Sequence, residues 1–286
     1  MGGGKPYVPE GGTVLADGAV VGPDGAVIPD PDAAATANGV TVTTEKVDVG
    51  GNSREYVLAF PNHYDAAKKY PLVLVFHGDG GDGPGMRGYH KLDDETGEDA
   101  IVVYPSGNWN TWDLTTPFDQ NEDQQYVEAI IGALKGKYAI DRVFGVGYSS
   151  GGFLINMLAC RRPGIFKAIV SHAGGAPFST DPNGLPKDGA GYFLCPNSPK
   201  VAALIMHGDA DNGVDPGSGD YDAQFWAHYN GCNPDTNARV DTAPAPCKAH
   251  ASCSAATPVL FCLIPGLGHW PWDQSIPLEW AWLKTR

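Results

Sequence analysis

The chain has 286 residues and a formal net charge of −14 at neutral pH. This length suits one large domain with decorations better than two independent domains. The negative charge would repel a nucleic acid backbone and an anionic membrane surface, and no stretch approaches the roughly 18 consecutive apolar residues of a membrane-spanning helix. We therefore expect neither nucleic acid nor a membrane as a partner, and the lack of a long heptad pattern favours a monomer.

The six cysteines form an even set, and none of their spacings gives the paired CxxC motifs of a zinc site. Disulfides are therefore the favoured interpretation, and they indicate an oxidising compartment. The chain opens on Met1 without the charged and apolar regions of a secretion signal, so we expect a mature secreted protein whose signal peptide has been removed. The alternative is a cytosolic protein with six free thiols. The cysteines are Cys160, Cys195, Cys232, Cys247, Cys253 and Cys262.

Residues 1–38 show neither helical nor strand periodicity, which predicts an irregular N-terminal arm before a single domain over residues 39–286. That domain begins with two segments rich in β-branched and aromatic residues, at 39–44 and 54–60. A Gly-Gly-Asn-Ser turn separates them, which predicts an antiparallel pair of strands.

The pattern then changes to short apolar runs that alternate with helical periodicity. Such runs are typical of strands that are buried on both faces of a parallel sheet. The alternation predicts an α/β layered fold. The predicted strands are residues 71–76, 100–104, 142–146, 168–170, 201–206 and 259–264, and the predicted helices are residues 124–138, 150–160, 220–229 and 276–284.

The segment that follows the predicted strand at 142–146 is GYSSG, residues 147–151, a G-x-S-x-G motif that leads into a helical pattern. Ligands of such sheets bind beyond the carboxyl ends of the strands. Glycines on both sides permit a sharp turn that holds the serine oxygen at the start of the helix. Ser149 is therefore the candidate nucleophile, and the alternative is a glycine-rich turn that carries a solvated serine.

A serine nucleophile needs a base and a group that orients the base. Asp209 and Asp211 follow one apolar strand, and His269 follows a later one. The order serine, aspartate, histidine is the order that α/β-hydrolases use. Both aspartates remain candidates for the acid, and a buried structural role is the alternative for His269. The histidines without a surrounding motif are interpreted as ordinary surface or core residues: His63, His90, His172, His228 and His250.

Acyl transfer also needs hydrogen-bond donors for the oxyanion. The first buried strand ends in HGDGG, residues 77–81, which resembles the HGGG-type loop of hydrolases. The candidate donors are the backbone N–H groups of Asp79 and Ser150. Because a carboxylate beside an oxyanion is repulsive, we expect the Asp79 side chain to point away. The alternative is that residues 78–81 are only a turn.

Five segments together resemble the secreted feruloyl and acetylxylan esterases of carbohydrate esterase family one and the related polyhydroxybutyrate depolymerases. The resemblance runs from about residue 40 to the C-terminus. It implies an α/β-hydrolase fold, with a mostly parallel central sheet flanked by helices and with antiparallel N-terminal strands. It also implies that Asp211 rather than Asp209 is the acid, that His269 is the base, and that no cofactor or metal is required. The segments are HGDGG at 77, GYSSG at 147, HGDADNGV at 207, WAHYNGC at 226 and GLGHWPW at 267.

The resemblance implies a serine esterase in which Ser149, deprotonated by His269, attacks an ester carbonyl and forms an acyl-enzyme. The expected substrates are feruloyl or acetyl esters of plant cell-wall polysaccharide. A polyhydroxyalkanoate or other polyester depolymerase is the first alternative. An acyltransferase or peptidase with the same triad and a non-catalytic polysaccharide-binding protein are the others, because fold and triad do not fix the acceptor.

Four tryptophans close to strand ends are candidates for substrate binding, because indole rings stack on feruloyl groups, sugars or polyester surfaces. Burial in the core is an equally common role for tryptophan. The candidates are Trp109, Trp112, Trp270 and Trp272. The resemblance also implies three disulfides: Cys160 with Cys195, Cys232 with Cys262, and Cys247 with Cys253.

Overall fold

The computed structural model describes residues 38–178 and 186–286, together with the backbone of four two-residue strands before residue 38. The predicted arm therefore lies almost entirely outside the described residues. Its first three short strands form a small antiparallel sheet, and the fourth pairs with the first long strand of the domain. The short strands are β1 (Thr13–Val14), β2 (Val20–Val21), β3 (Val27–Ile28) and β4 (Ala34–Ala35).

An eleven-stranded sheet forms the centre of the molecule, in the order β12-β13-β14-β11-β10-β9-β7-β8-β6-β5-β4. Its remaining strands are β5 (Val40–Val49), β6 (Asn52–Pro61), β7 (Tyr70–Phe76), β8 (Ile101–Pro105), β9 (Ile140–Tyr148), β10 (Ala168–His172), β11 (Ala202–Gly208), β12 (Val240–Asp241), β13 (Cys247–Ala249) and β14 (Val259–Ile264).

The six central strands, from β8 through β7, β9, β10 and β11 to β14, run parallel. Four of them, β7, β8, β10 and β11, are buried along their whole length, which is why they appear in the sequence as nearly unbroken apolar runs. At one edge β5 and β6 are antiparallel, as predicted. The expected mixed sheet is therefore confirmed. The antiparallel pair β12 and β13 at the other edge was not predicted, because two and three residues are too few to show a period.

In the part of the chain that the structure describes, six α-helices flank the sheet: α1 (Gly83–Tyr89), α2 (Leu92–Thr96), α3 (Glu122–Lys137), α4 (Ser150–Arg161), α5 (Pro216–Asn230) and α6 (Ser275–Leu283). The short helices α1 and α2 lack a clear apolar stripe and were not predicted. The helix predicted at 220–229 begins earlier, where the Asp215 side chain accepts the Gly217 N–H and Pro216 opens the first turn. Among the described residues, no helix is both long and apolar enough to cross a membrane.

The helices form two layers that bury the two faces of the sheet. Apolar residues of α3, α4 and α5 pack on one face, around Tyr126, Leu158 and Trp226. Residues of α1, α2 and α6, including Met86 and Trp280, pack on the other. Burial of both faces is the layered arrangement expected of a parallel sheet. It leaves the carboxyl ends of the strands as the open edge of the sheet.

All six cysteines form disulfides. Cys160 is joined to Cys195 as predicted, but the other two predicted pairs are wrong. Strands β13 and β14 pair with Cys247 directly opposite Cys262, so the ladder itself brings these two side chains together. Cys232, at the end of α5, is joined instead to Cys253. The backbone bond from Asn233 N–H to Ala251 C=O holds the two connecting loops side by side.

Candidate active site

Ser149 occupies the turn between β9 and α4 with φ +53° and ψ −119°, a conformation that a non-glycine residue rarely adopts. Its N–H donates to the carbonyl of His172 at 2.8 Å. The flanking glycines permit the turn: a Cβ on Gly147 would lie 2.3 Å from the Gly151 carbonyl, and a Cβ on Gly151 would lie 2.6 Å from the His77 carbonyl. The strand-turn-helix geometry of a nucleophile elbow is therefore present.

The structure brings Ser149, His269 and Asp211 into one hydrogen-bonded line. His269 Nε2 lies 2.9 Å from Ser149 Oγ, and His269 Nδ1 lies 2.8 Å from Asp211 Oδ2. The other oxygen of Asp211 accepts the N–H groups of Gly213 and Val214 at 2.7 and 2.9 Å. Burial alone would raise the pKa of Asp211, but the hydrogen bonds from His269 and the two amides outweigh it and lower the pKa. The carboxylate therefore stays ionised and fixes the imidazole.

The two candidate acids have different surroundings. Asp209 is exposed, and its carboxylate accepts only the Gly266 N–H, at 2.6 Å, among the contacts of the described residues. Asp211 is buried, and His207 Nε2 lies 3.1 Å from the same oxygen that faces His269. Burial lowers the pKa of His207, so it is neutral at ordinary pH. Sequence reasoning gave His207 no role, although it opens the HGDADNGV segment.

The loop that follows β7 brings Asp79 to the wall of the cavity, which is also lined by Ser149 and by Ser150, the first residue of α4. The Asp79 carboxylate accepts a hydrogen bond from the Thr111 hydroxyl. A hydrogen bond of 2.7 Å from Gly80 N–H to Asn110 C=O joins this loop to the segment that carries Trp109. The loop is thus rigidly held beside the nucleophile.

Trp112 supports this loop from inside the core. Its indole is only 3% exposed, and its N–H donates to the His77 carbonyl at 2.8 Å. The His77 ring bridges Gly78 C=O and Gly107 N–H, and burial lowers its pKa. The expectation that Trp112 contacts substrate is therefore corrected, because the core covers its ring.

A cavity of about 370 Å³ opens at Ser149 and His269. Its apolar wall is formed by Leu114, Phe153, Phe178 and Val214. The two phenylalanine rings meet edge to face, with centroids 5.5 Å apart. None of these four side chains was predicted to line the site, since they come from different loops and helices, and only Val214 lies in one of the segments that carry the resemblance.

The remaining tryptophan candidates lie outside the described cavity wall. Trp109 is 95% exposed, and Trp270 is 56% exposed and packs against Tyr89 at 5.3 Å between ring centroids. Trp272 is half-buried against the core under α6. Trp270 directly follows His269, and the Trp109 loop is tied to the loop after β7, so both exposed rings belong to the rim of the catalytic face.

Tyr148, the first of the two variable residues of the G-x-S-x-G motif, is a further member of the site. Its hydroxyl donates to the His269 carbonyl at 2.8 Å, and its ring lies 5.3 Å from the imidazole. Burial raises its pKa to about 12, so the hydroxyl stays protonated. The motif gave no indication of this contact, because His269 lies 121 residues further along the chain.

Comparison with known proteins agrees with this geometry. Residues 50–243 match a family model described as "Putative esterase". Feruloyl esterase C of Emericella nidulans is 29% identical over 191 residues, 64% of this chain and 64% of that protein. Feruloyl esterase D of Neurospora crassa is 30% identical over 212 residues, 69% of this chain and 66% of that protein. The chain thus matches slightly less than two thirds of the length of these relatives.

Solved structures match a larger share of the chain than the curated relatives do, although at lower sequence identity. An acetyl xylan esterase from Aspergillus awamori superposes with a TM-score of 0.63 at 20% identity, covering 83% of this chain and 98% of that one. A CE1 ferulic acid esterase from Anaeromyces mucronatus gives a TM-score of 0.53 at 16% identity, covering 90% and 95%.

The sheet and the elbow define the molecule as an α/β-hydrolase. Within that class the chain belongs to the family of esterases whose model covers residues 50–243, and the predicted resemblance to carbohydrate esterase family one is confirmed.

Proposed function

We propose that the protein is a serine carboxylic-ester hydrolase. The observation that carries this proposal is the line from Ser149 Oγ through His269 to Asp211, which opens into a cavity. His269 takes the serine proton as Oγ attacks the ester carbonyl, and it then protonates the departing alcohol. Water, activated by the same imidazole, hydrolyses the acyl-enzyme and restores Ser149.

The developing oxyanion is bound by the N–H groups of Asp79 and Ser150. The engagement of the Asp79 carboxylate with Thr111 supports this role, because it draws the negative charge to another partner. The position of Ser150 at the start of α4 supports it too, because the first amides of a helix have no partner within the helix.

The substrate is a feruloyl or acetyl ester of plant cell-wall polysaccharide. The aromatic wall formed by Phe153 and Phe178 supports a planar hydroxycinnamoyl group, since edge and face contacts suit such a ring. Related proteins that carry the names feruloyl esterase and acetyl xylan esterase support the same class. The polysaccharide then extends over the rim that carries Trp109 and Trp270.

A polyester is the second candidate substrate. The observation that favours it is Trp109, whose almost fully exposed ring is suited to contact an apolar polymer surface.

The test measures hydrolysis of methyl ferulate, acetylated xylan and a hydroxybutyrate oligomer by the wild type, Ser149→Ala and Ser254→Ala. We expect Ser149→Ala to lose at least about a thousandfold in kcat. Ser254→Ala, an exposed loop change, should retain wild-type rates. The ranking of the substrates separates wall esters from polyesters. Equal activity of Ser149→Ala, or a folded wild type that is silent on every ester, would contradict the proposal.

We also propose that the protein works outside the cell as a monomer. Three disulfides support an oxidising compartment. Titration of free thiols in the denatured, unreduced protein should find none, and light scattering should give the mass of one chain.

A further inference from the structure

A second cluster of histidines and a carboxylate lies away from the cavity. His90 Nε2 and His172 Nε2 each lie 2.9 Å from a different oxygen of Glu279, and all three side chains are almost completely buried. Burial alone would raise the pKa of Glu279, but the two histidines hold it well below its ordinary value. The carboxylate is therefore ionised inside the core, which is stable only while both partners stay in place.

Two histidines and a carboxylate are also a donor set that suits a metal ion. The surroundings of His172 favour hydrogen bonds instead. Its Nδ1 is buried and has no hydrogen-bond partner among the described residues. A metal on Nε2 would place the ring proton on Nδ1 and leave a buried donor unpaired, whereas ligating histidines normally pass that proton to a second partner.

The backbone of His172 connects this cluster to the nucleophile. His172 is the last residue of β10, and its carbonyl accepts the N–H of Ser149. Ser149 has φ +53°, and Ala173, the next residue after His172, has φ +47°. Non-glycine residues in this region cost roughly 1–3 kcal/mol each and persist only where the surroundings over-determine them. The hydrogen bond between the His172 side chain and Glu279 therefore helps to fix the His172 carbonyl, which in turn holds Ser149 in its strained conformation.

The cluster also joins the elements that carry the rest of the site. His90 ends α1, the helix that directly follows the loop with Asp79. Glu279 lies on α6, the helix that directly follows the loop with His269. The Glu279 carboxylate thus connects three parts of the site. These are the loop that contains Asp79, strand β10 beside Ser149, and the end of the loop that contains His269, which we call the base loop.

We propose that Glu279 is a positioning residue that holds these three parts of the active site in register through His90 and His172. The proposal rests on the esterase function proposed above. Glu279 contacts no substrate and takes no proton from the reaction. Its effect is on the orientation of Ser149 relative to His269, and therefore on kcat rather than on KM.

The test compares Glu279→Gln with Asp93→Asn. The glutamine keeps the shape of the side chain but turns an amide N–H toward one histidine. Asp93 is an equally buried carboxylate on α2 that is bound to Arg87 and Tyr104, with no hydrogen bond or ion pair to β10 among the described residues. Turnover of p-nitrophenyl acetate, melting temperature, and deuterium exchange of the peptide that contains the Ser149 amide are measured for each. Glu279→Asp, which keeps the charge but retracts it, is the second variant if the first does not fold.

We expect Glu279→Gln to lower kcat about tenfold with KM within about twofold, because small misplacements of reacting groups are costly. The Ser149 peptide should exchange faster in this variant. Asp93→Asn should lose stability but keep kcat and the exchange rate. Unchanged kcat and exchange in Glu279→Gln, or equal loss in both variants, would overturn the inference. So would one tightly bound metal ion per wild-type chain that Glu279→Gln loses. If the wild type turns over no ester, the function proposal fails, and the exchange comparison still decides this one.

Discussion

Two clusters in this molecule are built from the same chemical groups, yet only one faces a cavity. In each, a single carboxylate lies against two histidines: Asp211 with His269 and His207, and Glu279 with His90 and His172. The cavity-facing cluster places Ser149 Oγ on the far nitrogen of His269. In the buried cluster both rings are hydrogen-bonded to Glu279, and no serine hydroxyl contacts either ring in the described structure. A candidate catalytic site therefore differs from a structural one in two features: it opens to a cavity, and a nucleophile contacts the histidine. The carboxylate–histidine pair alone does not distinguish them.

The difference arises from where the chain places each group. Asp211 and His269 lie in loops beyond the ends of β11 and β14, at the open edge of the sheet. Glu279 lies on α6, which covers one face of the sheet, and both of its histidines are sealed beneath that layer. A ring in a loop at the open edge of the sheet can reach a substrate, whereas a ring beneath the helix layer can contact only the groups that the core provides.

The largest effect should come from removing the charge of the cavity-facing cluster. Asp211→Asn would keep the bonds from Gly213 and Val214 but turn an amide toward His269 Nδ1, which favours the wrong tautomer. We expect kcat on a small ester to fall about 10³ to 10⁴-fold at neutral pH with the fold intact. Asp209→Asn is the matched control and should change kcat less than about threefold, since Asp209 contacts only the Gly266 amide among the described groups. Similar losses in both variants would mean that Asp211 is not the orienting acid.

Stability against pH sharpens the comparison, because another buried carboxyl, that of Asp222, has no histidine among its hydrogen-bond partners in the described part of the chain. Asp222 is fully buried beside the Asn156 amide, and burial raises its pKa to about 8. Because the folded pKa exceeds the unfolded value, its contribution to stability is present at acid pH and is lost as the pH rises toward 8. Glu279 has the opposite sign: its folded pKa is lowered, so its contribution is present above about pH 4.5 and is lost as the pH falls.

We therefore expect Asp222→Asn to remove a slope of roughly 1.4 kcal/mol per pH unit from the free energy of unfolding between about pH 5 and 7. The variant should be more stable than the wild type at pH 7, as measured by urea denaturation. Glu279→Gln should be less stable at pH 7 and should lose less stability than the wild type on acidification below pH 4. Parallel stability curves for all three proteins would contradict both assignments of charge.

How far the sequence predicts each region depends on whether its signal is local. Ser149, His269 and the pair Asp209 and Asp211 each follow an apolar strand, so the rule for strand ends pointed to them before their distances were known, and the family resemblance then chose Asp211. The buried cluster has no such signal, because Glu279 lies 107 and 189 residues from its two histidines. Trp112 illustrates the same limit, since its position after a strand does not show whether the ring turns inward. The pairing of Cys247 with Cys262 required the register of β13 on β14, which a three-residue strand does not reveal.

The smallest effect concerns the single hydroxyl that links the elbow to the base loop. Tyr148→Phe removes the bond to the His269 carbonyl but keeps the ring between His269 and Trp270. A neutral hydrogen bond contributes about 0.5–1.5 kcal/mol, so kcat/KM should fall roughly two- to tenfold. Tyr89→Phe, whose ring packs on the same aromatic group, should leave kcat/KM unchanged. If Tyr148→Phe matched the wild type, the remaining contacts of the loop that carries His269, including those with Asp209 and Asp211, would be enough to hold it, and Tyr148 would have no part in placing the base.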